Sequence, residues 1–223
     1  MQSDDNGSRE VELVEKHRPK QARAIKTYEA ILTAAAELLV EVGLERISTN
    51  LIAERAGITV PALYRYFPNK YSVLNALGAR LMDHQNEAFS SWHETHVAGK
   101  PASALMESME EMLRQTYEAT RELTGGLEIM HGMQVLGPLQ KVRLQSHWTV
   151  AEAFGQFWCD QYQVPFTAEV AQRVRIAVEI GFCAVQIALE DSRMDPNVAL
   201  EEGATALRLY LIHVAQKAGV SLE

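Results

Sequence analysis

Residues 47–74, ISTNLIAERAGITVPALYRYFPNKYSVL, leave room for little except two short helices joined by a tight turn. Gly57 can enter the left-handed backbone region that ends a helix, at no steric cost. Thr59 is a good N-cap for a following helix, and Pro61 falls in that helix's first turn, where a missing N–H is harmless. Pro68 stops the second helix, and Asn69 can cap the next one. Ile52, Ala53, Ala56, Ile58, Leu63 and Phe67 supply an apolar underside that needs a third helix to rest on. Helices this short bury little by themselves. They make sense as a head held against a larger body, in the layout of a DNA-reading helix-turn-helix.

At this point the resemblance is specific. Residues 25–85 resemble the DNA-binding domain of the TetR family of bacterial transcriptional regulators. The matching residues are Ile31, Ala34, Ala35, Leu38 and Gly43, then Ile52-Ala53-x-x-Ala56-Gly57-Ile58-Thr59, then Leu63-Tyr64-Arg65-Tyr66-Phe67, then Asn69-Lys70 and Leu74. Pro61 and Tyr71 depart from the common pattern, which has a small residue and often an acid at those places. The resemblance implies an all-α protein: an N-terminal three-helix DNA-binding domain at 25–85, with its motif at 48–67, and a larger helical ligand-binding and dimerisation domain at 86–223.

The charge distribution agrees with a DNA-binding N-terminal part. Of the net charge of −8, residues 1–15 carry −4, residues 16–82 carry +5 and residues 83–223 carry −9. The positive share coincides with the motif, where phosphate neutralisation requires it. The polar, acidic start MQSDDNGSRE has no secretory character, and no apolar run is long enough to span a bilayer, so a cytoplasmic protein is expected. Cys159 and Cys183 stand apart without a CxxC pattern and read as two buried free thiols.

Helical spacing and breakers divide the chain into about nine helices after a disordered tail at 1–20. The first runs from about Gln21 to Val42, and the second and third form the motif. The fourth spans about Lys70 to Thr95, and the fifth covers 102–123. A short sixth lies between Gly125-Gly126 and Gly137-Pro138, and the seventh runs from about Leu139 to Gln161. The eighth covers about 167–190, capped by Thr167, and the ninth about 196–218, opened by Asp195-Pro196. Val170, Val174, Ala177, Gly181, Ala184, Val185 and Ala188 stripe the eighth; Val198, Ala199, Leu207, Leu211 and Val214 stripe the ninth. Such stripes either join two copies of the chain or close its own core.

Contact roles follow position by position from the resemblance. Thr49 and Asn50 open the second helix near the DNA backbone, with a base also within reach of Asn50. Thr59, Val60, Pro61 and Ala62 lie at the exposed start of the reading helix, and the last three offer apolar contact to thymine methyl groups. Tyr64 and Lys70 are expected on phosphates, positioning the helix more than specifying sequence. Arg65 reads equally as a guanine contact and as a solvated charge, and Tyr66 as a DNA contact or as packing on the first helix. The basic stretch KHRPKQAR at 16–23 reads as a minor-groove arm or a solvated tail.

The resemblance also implies a small-molecule effector, largely apolar, in the C-terminal domain, and a homodimer through the eighth and ninth helices on an inverted-repeat operator. Met109, Met112, Tyr117, Trp148, Phe154 and Phe182 are the candidate ligand walls; at helical spacing such residues are more often ordinary core. No cofactor is expected. His93 and His96 lie at i, i+3 but read better as a solvated helix end than as a metal site. A Gly-rich phosphate loop, GxSxG and HExxH are absent from the sequence, so no enzymatic constellation is visible. The expected function is a sequence-specific DNA-binding regulator, most simply a repressor released by its ligand. The competing reading is a helical ligand-binding or interaction protein that has lost DNA binding.

Overall fold

The computed structural model describes Pro19 and residues 21–220. The expected tail at 1–20, Pro19 apart, and half of the basic arm at 16–23 therefore lie outside the described residues. Ten α-helices follow in order: α1 (Ala22–Arg46), α2 (Thr49–Arg55), α3 (Val60–Leu63), α4 (Lys70–Trp92), α5 (Ala102–Glu107), α6 (Met109–Glu122), α7 (Gly126–Val135), α8 (Gly137–Tyr162), α9 (Ala168–Glu190) and α10 (Pro196–Lys217). A π-helical turn, His93–Val97, extends α4. The fold is all-α, with no strand among the described residues.

The sequence suggests nine helices because 102–123 carries no Gly or Pro. The chain nevertheless bends at Ser108 (φ −96°, ψ 9°), dividing that stretch into α5 and α6. Ser108 Oγ donates to the Ala104 carbonyl at 2.7 Å, the kind of back-bonding by which a serine competes with the helix ladder. A second irregularity matches the sequence: α1 kinks at Gly43 (φ 74°, ψ 173°), one residue beyond Val42.

Two apolar cores organise the molecule. The first joins Ile31, Leu32, Ala35, Leu38 and Leu39 of α1 to Ile52, Leu63, Phe67, Leu74, Leu77 and Leu81, with Ile129, Met130 and Met133 of α7. The second joins Trp92, Leu105, Met109 and Leu113 to Phe154 and Trp158 of α8 and to the inner faces of α9 and α10. Helix α4 belongs to both: its first half seats the motif and its last turns enter the second core. Helices α9 and α10 cross closely because Gly203 sits against Ala184. A Cβ at Gly203 would lie 2.2 Å from the Ala184 Cβ.

Most of the striping on α9 and α10 turns inward. Val170, Val174, Ala177, Gly181, Ala184, Val185, Ala188, Ala199, Leu207, Leu211 and Val214 are buried within the single chain. Val198 of that striping turns outward instead, as do Ile176 and Ile187 on α9 and Leu209 on α10. Cys159 is buried, but Cys183 is exposed, a correction to the expected pair of buried thiols. It lies three and four residues from Ile180 and Ile187, on the outer side of α9.

Candidate nucleic-acid interface and an internal cavity

The head is assembled from caps and a turn. Ser48 caps α2 by accepting from Leu51 N, and the chain reverses at Gly57, whose φ of 66° suits only glycine comfortably. Thr59 Oγ1 accepts from Ala62 N and so starts α3, with Pro61 in its first turn. Helix α3 is one turn long, and the ladder then tightens through Arg65 N to Ala62 O and Tyr66 N to Leu63 O. Leu63 and Phe67 are fully buried beneath it. Asn69 then caps α4 in a capping box with Ser72.

With Leu63 and Phe67 facing inward, Thr59, Pro61, Tyr64 and Arg65 are exposed, while Val60 and Ala62 are half-buried. Asn50 is exposed at the start of α2 and Thr49 is half-buried beside it. The Thr49 and Tyr64 hydroxyls lie 3.2 Å apart, so α2 and the end of α3 share one polar edge. Lys70 Nζ donates to the Ile47 carbonyl at 3.2 Å and lies over the Tyr71 ring, which holds the ammonium near the start of α2. Tyr66 packs edge-on against Tyr28 of α1, with centroids 6.4 Å apart, and keeps part of its surface exposed.

Ion pairing sorts the local cations. Arg55 holds Glu41 through two contacts, 2.7 and 2.6 Å, and also reaches Glu37, fastening α2 to α1. That pairing lowers the Glu41 carboxyl below its usual range, chiefly through the hydrogen bond from Arg55. Arg80 pairs with Glu29 across α4 and α1. Among the described residues no carboxylate pairs with Arg46, Arg65 or Lys70, so their charge stays available to an outside anion.

In the second core a cavity opens between α4, α6, α8, α9 and α10. Its empty space, the open mouth included, is about 550 Å³. Phe89, Met112, Leu113, Phe154, Phe182 and Val185 make most of its wall, and Gln85, Asn86 and Thr116 are its polar side chains. Gln85 is only 3% exposed. Its Nε2 donates to Thr120 Oγ1 at 2.8 Å, and Thr120 passes its own proton to the Thr116 carbonyl. This relay fixes the amide orientation and leaves Gln85 Oε1 buried without a partner. A buried acceptor left unpaired costs roughly 1–3 kcal/mol.

A second, polar cavity adjoins the first, sharing Gln85 and Phe182. Met82, Met130, Met133, Arg143, His147 and Glu179 are among its other walls. The Glu179 carboxyl is pushed down to about 2, first by the hydrogen bond from His147 and then by the one from Arg175. An ionised Glu179 can only accept, so His147 Nδ1 carries the proton in their 3.1 Å contact. Burial, partly opposed by Glu179, pulls the buried His147 below its ordinary range, and its ring stacks flat on Phe182 at 4.0 Å.

The family model described as "Bacterial regulatory proteins, tetR family" matches residues 31–77, the stretch that builds this head. The tetracycline repressor protein class C of Escherichia coli is 44% identical over 54 residues, which are 24% of this chain and 25% of that protein. Residues 31–77 thus match the tetR family of bacterial regulatory proteins. The A-factor receptor protein of Streptomyces griseus is 35% identical over 88 residues, 40% of this chain and 29% of that protein. The chain thus spans only a quarter to a third of the length of these relatives. Solved structures extend the likeness to the whole TetR-like fold. A TetR-family transcriptional regulator from Streptomyces coelicolor matches 84% of this chain and 99% of its own, with TM-score 0.59 and 23% identity. One from Syntrophomonas wolfei matches 86% and 96%, with TM-score 0.66 and 18% identity.

Against the expected ligand walls of a TetR-like C-terminal body, Met112, Phe154 and Phe182 line the apolar cavity. Three others do not. Met109 is sealed in the core, Tyr117 packs beside the core with Arg121 over its ring, and Trp148 is 38% exposed with the Arg175 guanidinium over it. Gln85 was not singled out from sequence, yet a signal exists. It continues the buried row Leu74, Leu77, Leu81 at helical spacing, a polar residue where an apolar one is due. Arg55, the strap between α2 and α1, gave no such signal, because its partners are 14 and 18 residues away.

Proposed function

We propose that the chain is a sequence-specific DNA-binding transcriptional regulator that acts as a homodimer and leaves its operator when a small molecule occupies the cavity above α4. The observation that carries the reading is the intact head. Its exposed edge of Asn50, Thr59, Pro61, Tyr64 and Arg65, with the half-buried Thr49 and Lys70 beside it, remains free for a phosphate backbone and a major groove. Thr49, Tyr64 and Lys70 hold phosphates. Asn50, Val60, Pro61, Ala62 and Arg65 face bases, and Tyr66 is shared between Tyr28 and the DNA. Two heads related by a dimer axis enter successive major grooves about 34 Å apart, so the operator is an inverted repeat.

We infer a head at 25–85 and an effector and dimer domain at 86–223, with α4 as the lever between them and α7 joining the two through Ile129, Met130 and Met133, which pack into the first core. A ligand favouring one α4 position shifts the spacing of the heads only as far as it binds that position better. A solved neighbour of the same fold, RolR, holds the ligand resorcinol, which supports placing a small molecule in this body. Selection from random duplex DNA tests the reading. An enriched inverted repeat, bound with a steep salt dependence, is the expected result. No enrichment by a protein that sediments as a dimer would favour the loss of DNA binding instead.

A further inference from the structure

The two adjoining cavities have complementary unmet needs. The first is apolar apart from Gln85, Asn86 and Thr116, and Gln85 stands where it meets the second. The Gln85 amide cannot turn to satisfy itself, because Thr120 Oγ1 takes the Nε2 proton and has already committed its own. Its unpaired Oε1 therefore asks for a donor.

The second cavity asks for an anion. Glu179 Oε1 receives Arg143 Nη1 at 3.4 Å, His147 Nδ1 at 3.1 Å and Arg175 Nη2. Two guanidiniums thus share a single carboxylate, and both keep buried N–H groups without partners: Arg143 Nε, and Arg175 Nε and Nη1. Arg175 has the Trp148 ring for company. Arg143 has only its long contact to Glu179, and it stands in the cavity wall. A guanidinium placed so can complete its hydrogen bonding with a carboxylate.

We propose that the effector is an apolar acid: its body fills the first cavity, a hydroxyl or amide N–H on it donates to Gln85 Oε1, and its carboxylate is bound by Arg143 in the second cavity. This rests on the reading of the cavity as an effector site. It also gives a reason for the position of the polar cavity. Met82, Met130 and Met133 of its wall belong to the first core, so the acid head sits beside the α4–α7 packing that supports α1.

The test is calorimetric titration of the full chain with octanoate, β-hydroxyoctanoate and octan-1-ol. The hydroxy acid should bind tightest and the alcohol at least about tenfold weaker than octanoate, the size of one charge-assisted contact. Arg143→Gln should erase the preference for octanoate over the alcohol. Gln85→Leu should erase the preference for the hydroxy acid over octanoate, with each variant's fold checked by circular dichroism. The comparison on the unaltered chain decides the matter even if a variant fails to fold. Equal binding of the alcohol and octanoate overturns the carboxylate site and leaves the effector cavity standing. Equal binding of octanoate and its hydroxy form overturns the donor to Gln85. If none of the three binds, the reading of the cavity itself falls, and the proposal with it.

Discussion

Lys70 and Tyr64 differ in what they bring to a phosphate. The Lys70 ammonium, held by the Ile47 carbonyl and without a carboxylate, would displace a counterion in the proposed DNA complex. The Tyr64 hydroxyl, steadied by Thr49, offers a hydrogen bond and no charge. Lys70→Ala should weaken operator binding and lower the slope of log affinity against log salt by about 1. Tyr64→Phe should weaken binding about tenfold, the worth of one hydrogen bond to a charged group at roughly 1.5 kcal/mol, with the slope unchanged. Gel-shift titrations at several salt concentrations separate the two, and an unchanged affinity in either variant removes that residue from the interface. At this scale the sequence was legible where the chemistry is local. Thr59, Asn69 and Gly57 announce their roles by type and spacing alone. Trp148 was misleading for the opposite reason. An aromatic residue on a helix reads as core or ligand wall until the neighbouring helices are placed, and α8 turns this one outward under Arg175.

Among the elements, α3 is the most exposed to small errors, since one turn of helix has almost no stability of its own. Its placement depends on the reversal at Gly57, where φ is 66° and a Cβ would meet open space rather than a neighbour. The cost of Gly57→Ala is therefore backbone strain alone, about 1 kcal/mol, with no clash added. The variant should fold, melt slightly lower, and bind DNA more weakly than its stability loss explains, because α3 is no longer held at one angle to α2. A melt by circular dichroism beside an operator titration checks this; full affinity at reduced stability would show that the turn angle does not matter. Element boundaries were readable where Gly, Pro or a cap marks them, as at Thr167 and Asp195-Pro196. The bend at Ser108 was hidden because a serine inside an apolar-periodic stretch breaks a helix only in some contexts. The cavity was hidden more deeply. Its wall draws on five helices, and the residues around a void are of the same types as those that fill a core.

For the whole molecule, the decisive question is what covers the outer side of α9 and α10. Apart from Val198, the striping read from sequence is used up inside the single chain, with Gly181, Ala184 and Gly203 letting α9 and α10 close on α6 and on each other. What remains outside is Val198 together with residues the striping did not include. Ile176 is 53% exposed, Ile187 41%, Val198 47% and Leu209 63%. Residues 176, 180, 183 and 187 recur at i, i+4, i+7 and i+11, one face of a single helix, and Val198 and Leu209 repeat the eleven-residue interval on α10. A self-complementary two-fold interface needs such a patch on a rigid pair of helices, and the four-helix arrangement of two copies would bury it. Ile176→Glu with Ile187→Glu places two carboxylates from each copy in that interface without touching the buried faces of α9. The doubly substituted chain should keep its helical content and its melt, and sediment as a monomer. Its affinity for an inverted repeat should then fall to that for a single half-site, because one head can no longer recruit the other. Should the variant remain a dimer by sedimentation, the heads must be joined through a different surface, and the spacing of the operator's half-sites would have to be explained from there.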